Sequence, residues 1–236
     1  MSTVSWITAR GLFGRRRFLL LFPLPLLVIG LAVLVRWAGV AAGEWAPPIV
    51  FGLGLGVMLP VTALIVGTGV LGSEIDDGTL LHILTKPLPR WQIILPKLVV
   101  AAGVTALATA IPLYVVGVLA DSVRFGLGLA AASAVGALVY SAIFLLLSLV
   151  TRRPVLLGLV YVLIWEGLLT NVISGTRVLS VQQYVLTLTD RIAPTALLDS
   201  TVSVPVALVM GAIFTVGCTA LAIDRLRSFS AAGETS

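Results

Sequence analysis

The 236-residue chain lacks most of what a soluble catalyst uses. It has one histidine, His82, which rules out any multi-histidine metal site. It has one cysteine, Cys218, inside an apolar run, so no intrachain disulfide can form. No Gly-x-x-x-x-Gly-Lys-Ser/Thr loop is present, so any ATP this protein uses is bound by another chain. Charged residues make up 11% of the chain, where soluble domains carry roughly 25%. The polar remainder is too small for a second globular domain. These shortages exclude a soluble enzyme, a nucleic-acid-binding domain and a disordered tail.

What the chain has in quantity is hydrocarbon. Hydrophobic residues are 59% of it, and mean hydropathy is +1.14. A helix needs roughly 20 apolar residues to cross a bilayer. Six runs qualify: Phe18 to Val35, Pro48 to Leu71, Ile93 to Leu119, Phe125 to Val150, Val155 to Ile173 and Val202 to Ile223. All are expected to be helices, because backbone groups in lipid must bond within their own segment. Strands of a barrel would alternate in polarity, and these runs do not. The expected fold is therefore all-α, a polytopic membrane protein with six transmembrane helices. Its domains are a basic segment 1–17, a membrane domain 18–223 and a tail 224–236.

Lys and Arg set the expected orientation. With the N-terminus inside, the inner segments hold Arg10, Arg15, Arg16, Arg17, Lys86, Arg90, Lys97, Arg152, Arg153, Arg225 and Arg227. The outer segments hold Arg36, Arg124, Arg177 and Arg191. Both termini are expected in the cytoplasm, and the net charge of +5 reads as topology rather than as nucleic-acid binding. Arg15-Arg16-Arg17-Phe18-Leu19 is similar to a twin-arginine export signal, with Ala41-Ala42 as a cleavage site. The apolar run is longer than a signal core, and Arg36 and Trp37 close it like an anchor, so an uncleaved span is expected. Trp6, Ala9 and Phe13 can share one helical face, with Arg10, Arg15, Arg16 and Arg17 reaching lipid phosphates. That composition suits an interfacial helix as well as a basic tail that only sets topology.

The loop between the second and third runs is chemically the richest. Ser73 suits a helix N-cap, and Glu74, Asp76 and Asp77 suit the positive end that follows it. Thr79, Leu80, Ile83 and Leu84 form an apolar stripe at helical spacing, and Pro87 and Pro89 stop it. Trp91 sits where an aromatic anchor meets headgroups, and Lys97 is expected to snorkel back to them. The result is a short amphipathic helix, either lying on lipid or docking into a groove on a partner. His82 reads as a surface or docking residue.

Here the residues resemble a known family. Glu74, then Asp77-Gly78-Thr79-Leu80, then Leu84-Thr85-Lys86-Pro87-Leu88-Pro89-Arg90-Trp91 and Lys97, are similar to the signature of ABC-2 type permeases. These are the membrane subunits of ATP-binding-cassette transporters, mostly exporters. Lys86 departs from the pattern, which often has a small or neutral residue there. The resemblance implies a cytoplasmic coupling helix at about 73–86, with Glu74, Asp76, Asp77, Gly78, Thr79, Leu80, Ile83 and Leu84 resting on an ATPase subunit. It implies that the basic N-terminal segment, with Trp6, Arg10, Phe13, Arg15, Arg16 and Arg17, is an interfacial helix. It implies short helices within an outer re-entrant segment at about 174–201, especially Val181 to Ala193. The working unit would be two permease chains, identical or homologous, and two ATPase chains in the plasma (inner) membrane. This chain would bind no cofactor, and ATP and magnesium would sit on the partner. No covalent chemistry is expected of any residue here.

Other residues stand apart from that signature. Glu166 is the one acid well inside a run, about 16 Å from Val155 along a helix. It must face the bundle or a wet cavity, as a pathway group for cationic cargo or a proton, or as a structural hydrogen bond. Gly52-x-x-x-Gly56 is a close-packing pattern, within one chain or between two. Pro60 and Pro112 are expected to bend their helices. Thr62, Thr68, Tyr114, Tyr140, Ser141 and Ser148 are expected mostly to bond their own backbone. Two further readings compete with the transporter subunit. One is a stand-alone secondary transporter or channel, for which the missing internal repeat and few intramembrane charges are poor support. The other is a non-transporting membrane assembly factor. The scarcity of polar groups along the runs points to a lipophilic or amphipathic cargo, such as a drug.

Overall fold

The computed structural model describes residues 21–76, 89–170, 174–195, 197 and 201–233. Every regular element among them is helical. We number the helices α1 (Pro23–Trp37), α2 (Ala42 to Asp76), α3 (Trp91–Ala120), α4 (Val123–Val150), α5 (Pro154 to Leu169), α6 (Val181–Ile192) and α7 (Val204–Gly233). A 3₁₀ turn, Ser174–Leu179, leads into α6.

Each of the six apolar runs yields a helix, but they differ in length. Four are long and apolar enough to cross a membrane: Ala42–Val70, Trp91–Ala120, Val123–Val150 and Val204–Leu226. The other two, Pro23–Trp37 and Pro154–Leu168, are shorter apolar helices. The runs behind these two, Phe18 to Val35 and Val155 to Ile173, extend beyond the described residues at 18–20 and 171–173. Proline opens both short helices, at Pro23 and Pro154. It favours the first helical position because its missing N–H is not needed there.

α2 and α5 are not uniform. α2 runs as α-helix over Ala42–Pro47, as π-helix over Pro48–Met58 and as α-helix again over Leu59–Asp76. α5 changes from α (Pro154–Val160) to π (Tyr161–Leu169). The π stretch of α2 opens with Pro48, directly after Pro47, and Pro60 follows it. A proline ring collides with the carbonyl four residues back and offers no N–H to it. The wider turn ends with Leu59 N–H donating to the Gly54 carbonyl, five residues back. π segments are rare and gather at functional positions.

α4 is the hub, packing against α2, α3, α5, α6 and α7. Its sequence explains why. Gly126, Gly128, Ala132, Ser133, Gly136, Ala137, Ser141 and Ala142 are buried small residues that let neighbours approach. A methyl on Gly117 would lie 2.7 Å from the Gly126 Cα, so α3 and α4 cross almost backbone to backbone. Ser122 starts α4 by accepting the Phe125 N–H at 3.2 Å.

Most interior hydroxyls bond their own helix, as expected. Thr68 donates to the Leu64 carbonyl at 2.6 Å and Ser148 to the Leu145 carbonyl at 2.6 Å. The buried hydroxyls of Tyr140 and Ser141 make no such bond. Two other expectations change. Ser73 does not start a helix: it lies inside α2, which continues through Asp76. Lys97 does not snorkel: it is 1% exposed and donates to the Val70 carbonyl at 3.2 Å. A backbone acceptor one helix away holds the ammonium inside the bundle.

Candidate functional site

The segment after α5 folds back on the bundle. Ser180 caps α6, its Oγ accepting the Gln183 N–H at 3.3 Å. The buried face of α6 (Val181, Tyr184, Val185, Leu186, Thr187, Thr189) lies against α4 and α7. The fit on α4 is close. A methyl on Gly136 would lie 2.6 Å from a Val185 methyl, and one on Gly128 would touch Ile192. The helix expected over Val181 to Ala193 is present, Val181–Ile192, with Ala193 as its C-cap.

Glu166 sits in the π stretch of α5 and is 2% exposed. Its carboxylate meets the first residues of α6. Ser180 Oγ donates to Oε2 at 2.5 Å, and the Val181 N–H donates to Oε1 at 2.9 Å. Tyr161 Oη donates to Oε1 at 3.4 Å. The positive end of a helix and two hydroxyls thus replace the water that a buried carboxylate loses.

Further bonds fasten the same corner. Trp165 Nε1 donates to the Leu179 carbonyl at 3.3 Å, Arg177 Nε to the Thr170 carbonyl at 3.4 Å, and Tyr184 Oη to the Val178 carbonyl at 2.6 Å. Gln182, next in α6, reaches the other π segment, where its Nε2 donates to the Phe51 carbonyl at 3.1 Å. The start of α6 therefore touches both irregular helices. Between them lies a lateral cleft of about 320 Å³. Phe51, Gly52, Gly56 and Val57 form one wall and Leu159, Val162, Leu163 and Gly167 the other. Glu166 and Gln182 are the polar side chains in its lining.

The remaining sequence candidates divide. Glu74 and Asp76 lie in the last described turn of α2. Asp77, Gly78, Thr79, Leu80, Ile83 and Leu84 lie outside the described residues, as do Trp6, Arg10, Phe13, Arg15, Arg16 and Arg17. Trp91 opens α3 and is 43% exposed. Gly52 and Gly56 line the cleft, and a methyl on Gly52 would meet nothing within 4 Å. Among the described residues no group of His, Cys, Asp and Glu is arranged to hold a metal ion. Sequence reasoning missed Ser180, Gln182 and the Phe51 carbonyl. Ser180-x-x-Gln183 carries the residues of an N-terminal capping box, a signal available in the sequence. No comparable signal marks Phe51.

Four helices long and apolar enough to cross a membrane make this a multi-pass membrane protein. Over residues 54–223 the chain matches the family model described as ABC-2 family transporter protein, and it belongs to that family. Its members are membrane transport components, not catalysts, and generally work with an ABC ATPase. A comparison with curated proteins finds no match.

Proposed function

We propose that this chain is the membrane subunit of an ATP-driven exporter that moves a lipophilic or amphipathic small molecule outward. Membership of the ABC-2 family over residues 54–223, in a chain without a nucleotide-binding loop, carries this reading. Two ATPase chains supply the energy, and a second permease chain, identical or homologous, completes the pathway. ATP and magnesium bind on the ATPase side. Residues 73–86, with Glu74, Asp76, Asp77, Gly78, Thr79, Leu80, Ile83 and Leu84, pass the ATPase movement to the bundle. ATP drives the cycle by binding one conformation of the ATPase pair better than the other. The basic segment 1–17 lies on the inner face of the plasma membrane, and both termini are cytoplasmic.

The cleft between the π segments supports the cargo class. Its lining is apolar apart from Glu166 and Gln182. Such a lining suits a largely hydrophobic cargo. A stand-alone secondary transporter would need an intramembrane charge available for ion coupling. Its main support is Glu166, whose carboxylate already accepts from Ser180, Val181 and Tyr161.

The test is purification of the tagged chain in mild detergent with mass spectrometry of what accompanies it. The reading expects an ATPase that is lost in Glu74→Arg or Asp77→Arg. Recovery without an ATPase, with transport intact in vesicles lacking ATP, replaces this reading with the secondary transporter.

A further inference from the structure

α6 is tied very unequally to the two helices that wall the cleft. Several hydrogen bonds join it, and the turn before it, to α5. Ser180 Oγ and the Val181 N–H both donate to the Glu166 carboxylate. Bonds that end on a carboxylate are the stronger kind. Trp165 Nε1 donates to the Leu179 carbonyl, and Arg177 Nε to the Thr170 carbonyl. α6 is also seated on α4, where Gly136 meets Val185 and Gly128 meets Ile192. Its tie to α2 is a neutral bond, from Gln182 Nε2 to the Phe51 carbonyl at 3.1 Å.

α2 is built to yield beside that bond. Its last part, Leu59–Asp76, packs on α3, α4 and α5. The π stretch before it carries Gly52, Gly54 and Gly56, and among residues other than proline glycine is the least suited to a helix interior. Pro48 opens that stretch and Pro60 follows it. Helices bend where prolines, glycines and π turns gather. Gly54 is pressed against α3: a methyl there would lie 2.8 Å from a Leu113 methyl. Gly52 lines the cleft, and a methyl there would meet nothing within 4 Å. Close contact at Gly54 and open space at Gly52 make Gly54 a natural pivot.

We propose that the Gln182–Phe51 hydrogen bond is a latch on the cleft. When it breaks, the first part of α2 tilts about Gly54, while α6 stays with α4 and α5. Phe51 stands roughly 4.5 Å along the helix from that pivot, and Gly43 roughly 16 Å. A tilt of about 20° moves Phe51 by roughly 1.5 Å, enough to break the bond, and Gly43 by roughly 5 Å. The latch stands on this packing. That its opening passes cargo rests on the transport reading above.

The test is the distance distribution between spin labels on the purified full chain in detergent, carrying Cys218→Ser, with no ATPase and no cargo. One labelled pair, Gly43→Cys/Arg191→Cys, spans α2 and α6. The other, Leu168→Cys/Arg191→Cys, spans α5 and α6. All three positions are exposed. Gln182→Met keeps the length of the side chain and removes the donor. It is expected to raise the share of a Gly43–Arg191 distance roughly 5 Å longer, and to leave the Leu168–Arg191 distribution unchanged. The unfolding temperature should fall by no more than about 5 °C, as suits one neutral bond. If Gln182→Met fails to accumulate, Gln182→Ala removes the same donor and carries the same expectation. An unchanged Gly43–Arg191 distribution overturns the proposal. So does equal broadening of both pairs, which would make Gln182 a general packing residue. Neither ATP nor cargo enters the measurement, so the latch and the transport reading fail separately.

Discussion

Glu166 accepts the backbone N–H of Val181 at 2.9 Å, so a side chain of α5 occupies the N-terminus of α6. Ser180 adds a second donor to the same carboxylate. The acid that stands alone in its apolar run thereby fixes where the returning segment begins. Glu166→Gln keeps an acceptor oxygen but loses the charge. Charge-assisted hydrogen bonds contribute about 1.5–3 kcal/mol, so we expect the protein to fold with its unfolding temperature lowered by several degrees. Ser180→Ala should cost about 1 kcal/mol, the usual loss at an N-cap. Thermal unfolding in detergent checks both, and an unchanged Glu166→Gln would remove the carboxylate from this anchoring role.

The seat of α6 on α4 makes a second prediction. Gly136→Ala places a methyl 2.6 Å from a Val185 methyl. Overpacking of this kind costs about 1–3 kcal/mol. Val185→Ala removes the colliding group, so Gly136→Ala/Val185→Ala should be more stable than Gly136→Ala alone. Measured melting temperatures in the reverse order would contradict the packing.

Gly52 tests the cleft itself. A methyl there would meet nothing within 4 Å. Gly52→Phe should leave the folded amount near wild type and reduce transport at least several-fold, by filling the space between α2 and α5. Transport assays normalised to membrane protein check this, and full transport by Gly52→Phe would take the cleft out of the pathway.

Arg124 counts against the arginine bias that sets the expected orientation. Its Nε donates to the Ile192 carbonyl at 2.8 Å, at the C-terminal end of α6. Cations are favoured at that end of a helix. Arg124→Ala should therefore cost about 0.3–1 kcal/mol of stability without inverting the chain. A reporter fused to the C-terminus distinguishes the two effects, and an inverted reporter would make Arg124 a topology determinant after all.

Those residues also show what a sequence can and cannot reveal. Apolar runs marked every numbered helix except α6, because burial in lipid requires continuous hydrocarbon. A run does not by itself announce its first helical residue: Phe18 to Val35 is helical from Pro23, whereas Val155 to Ile173 is helical from Pro154, one residue earlier than the run. Glu166 was conspicuous because a carboxylate in an apolar run must be compensated. Its donors were not, since Ser180 and Val181 become neighbours only when the chain returns. Gln182 and Phe51, separated by 131 positions, meet for the same reason. The π stretches of α2 and α5 left no periodicity that an all-round apolar helix could display. Lys97 misled because lysine near a helix end ordinarily reaches for headgroups, and only the packed bundle reveals the Val70 carbonyl.

The central claim is that this chain moves cargo with energy from an ATPase partner. Its most direct measurement is uptake of a fluorescent lipophilic cation into inverted membrane vesicles containing the chain and the proteins that co-purify with it. The account predicts uptake that requires ATP and magnesium and is abolished by Glu74→Arg or Asp77→Arg. Equal uptake without ATP, driven by an ion gradient alone, would contradict it.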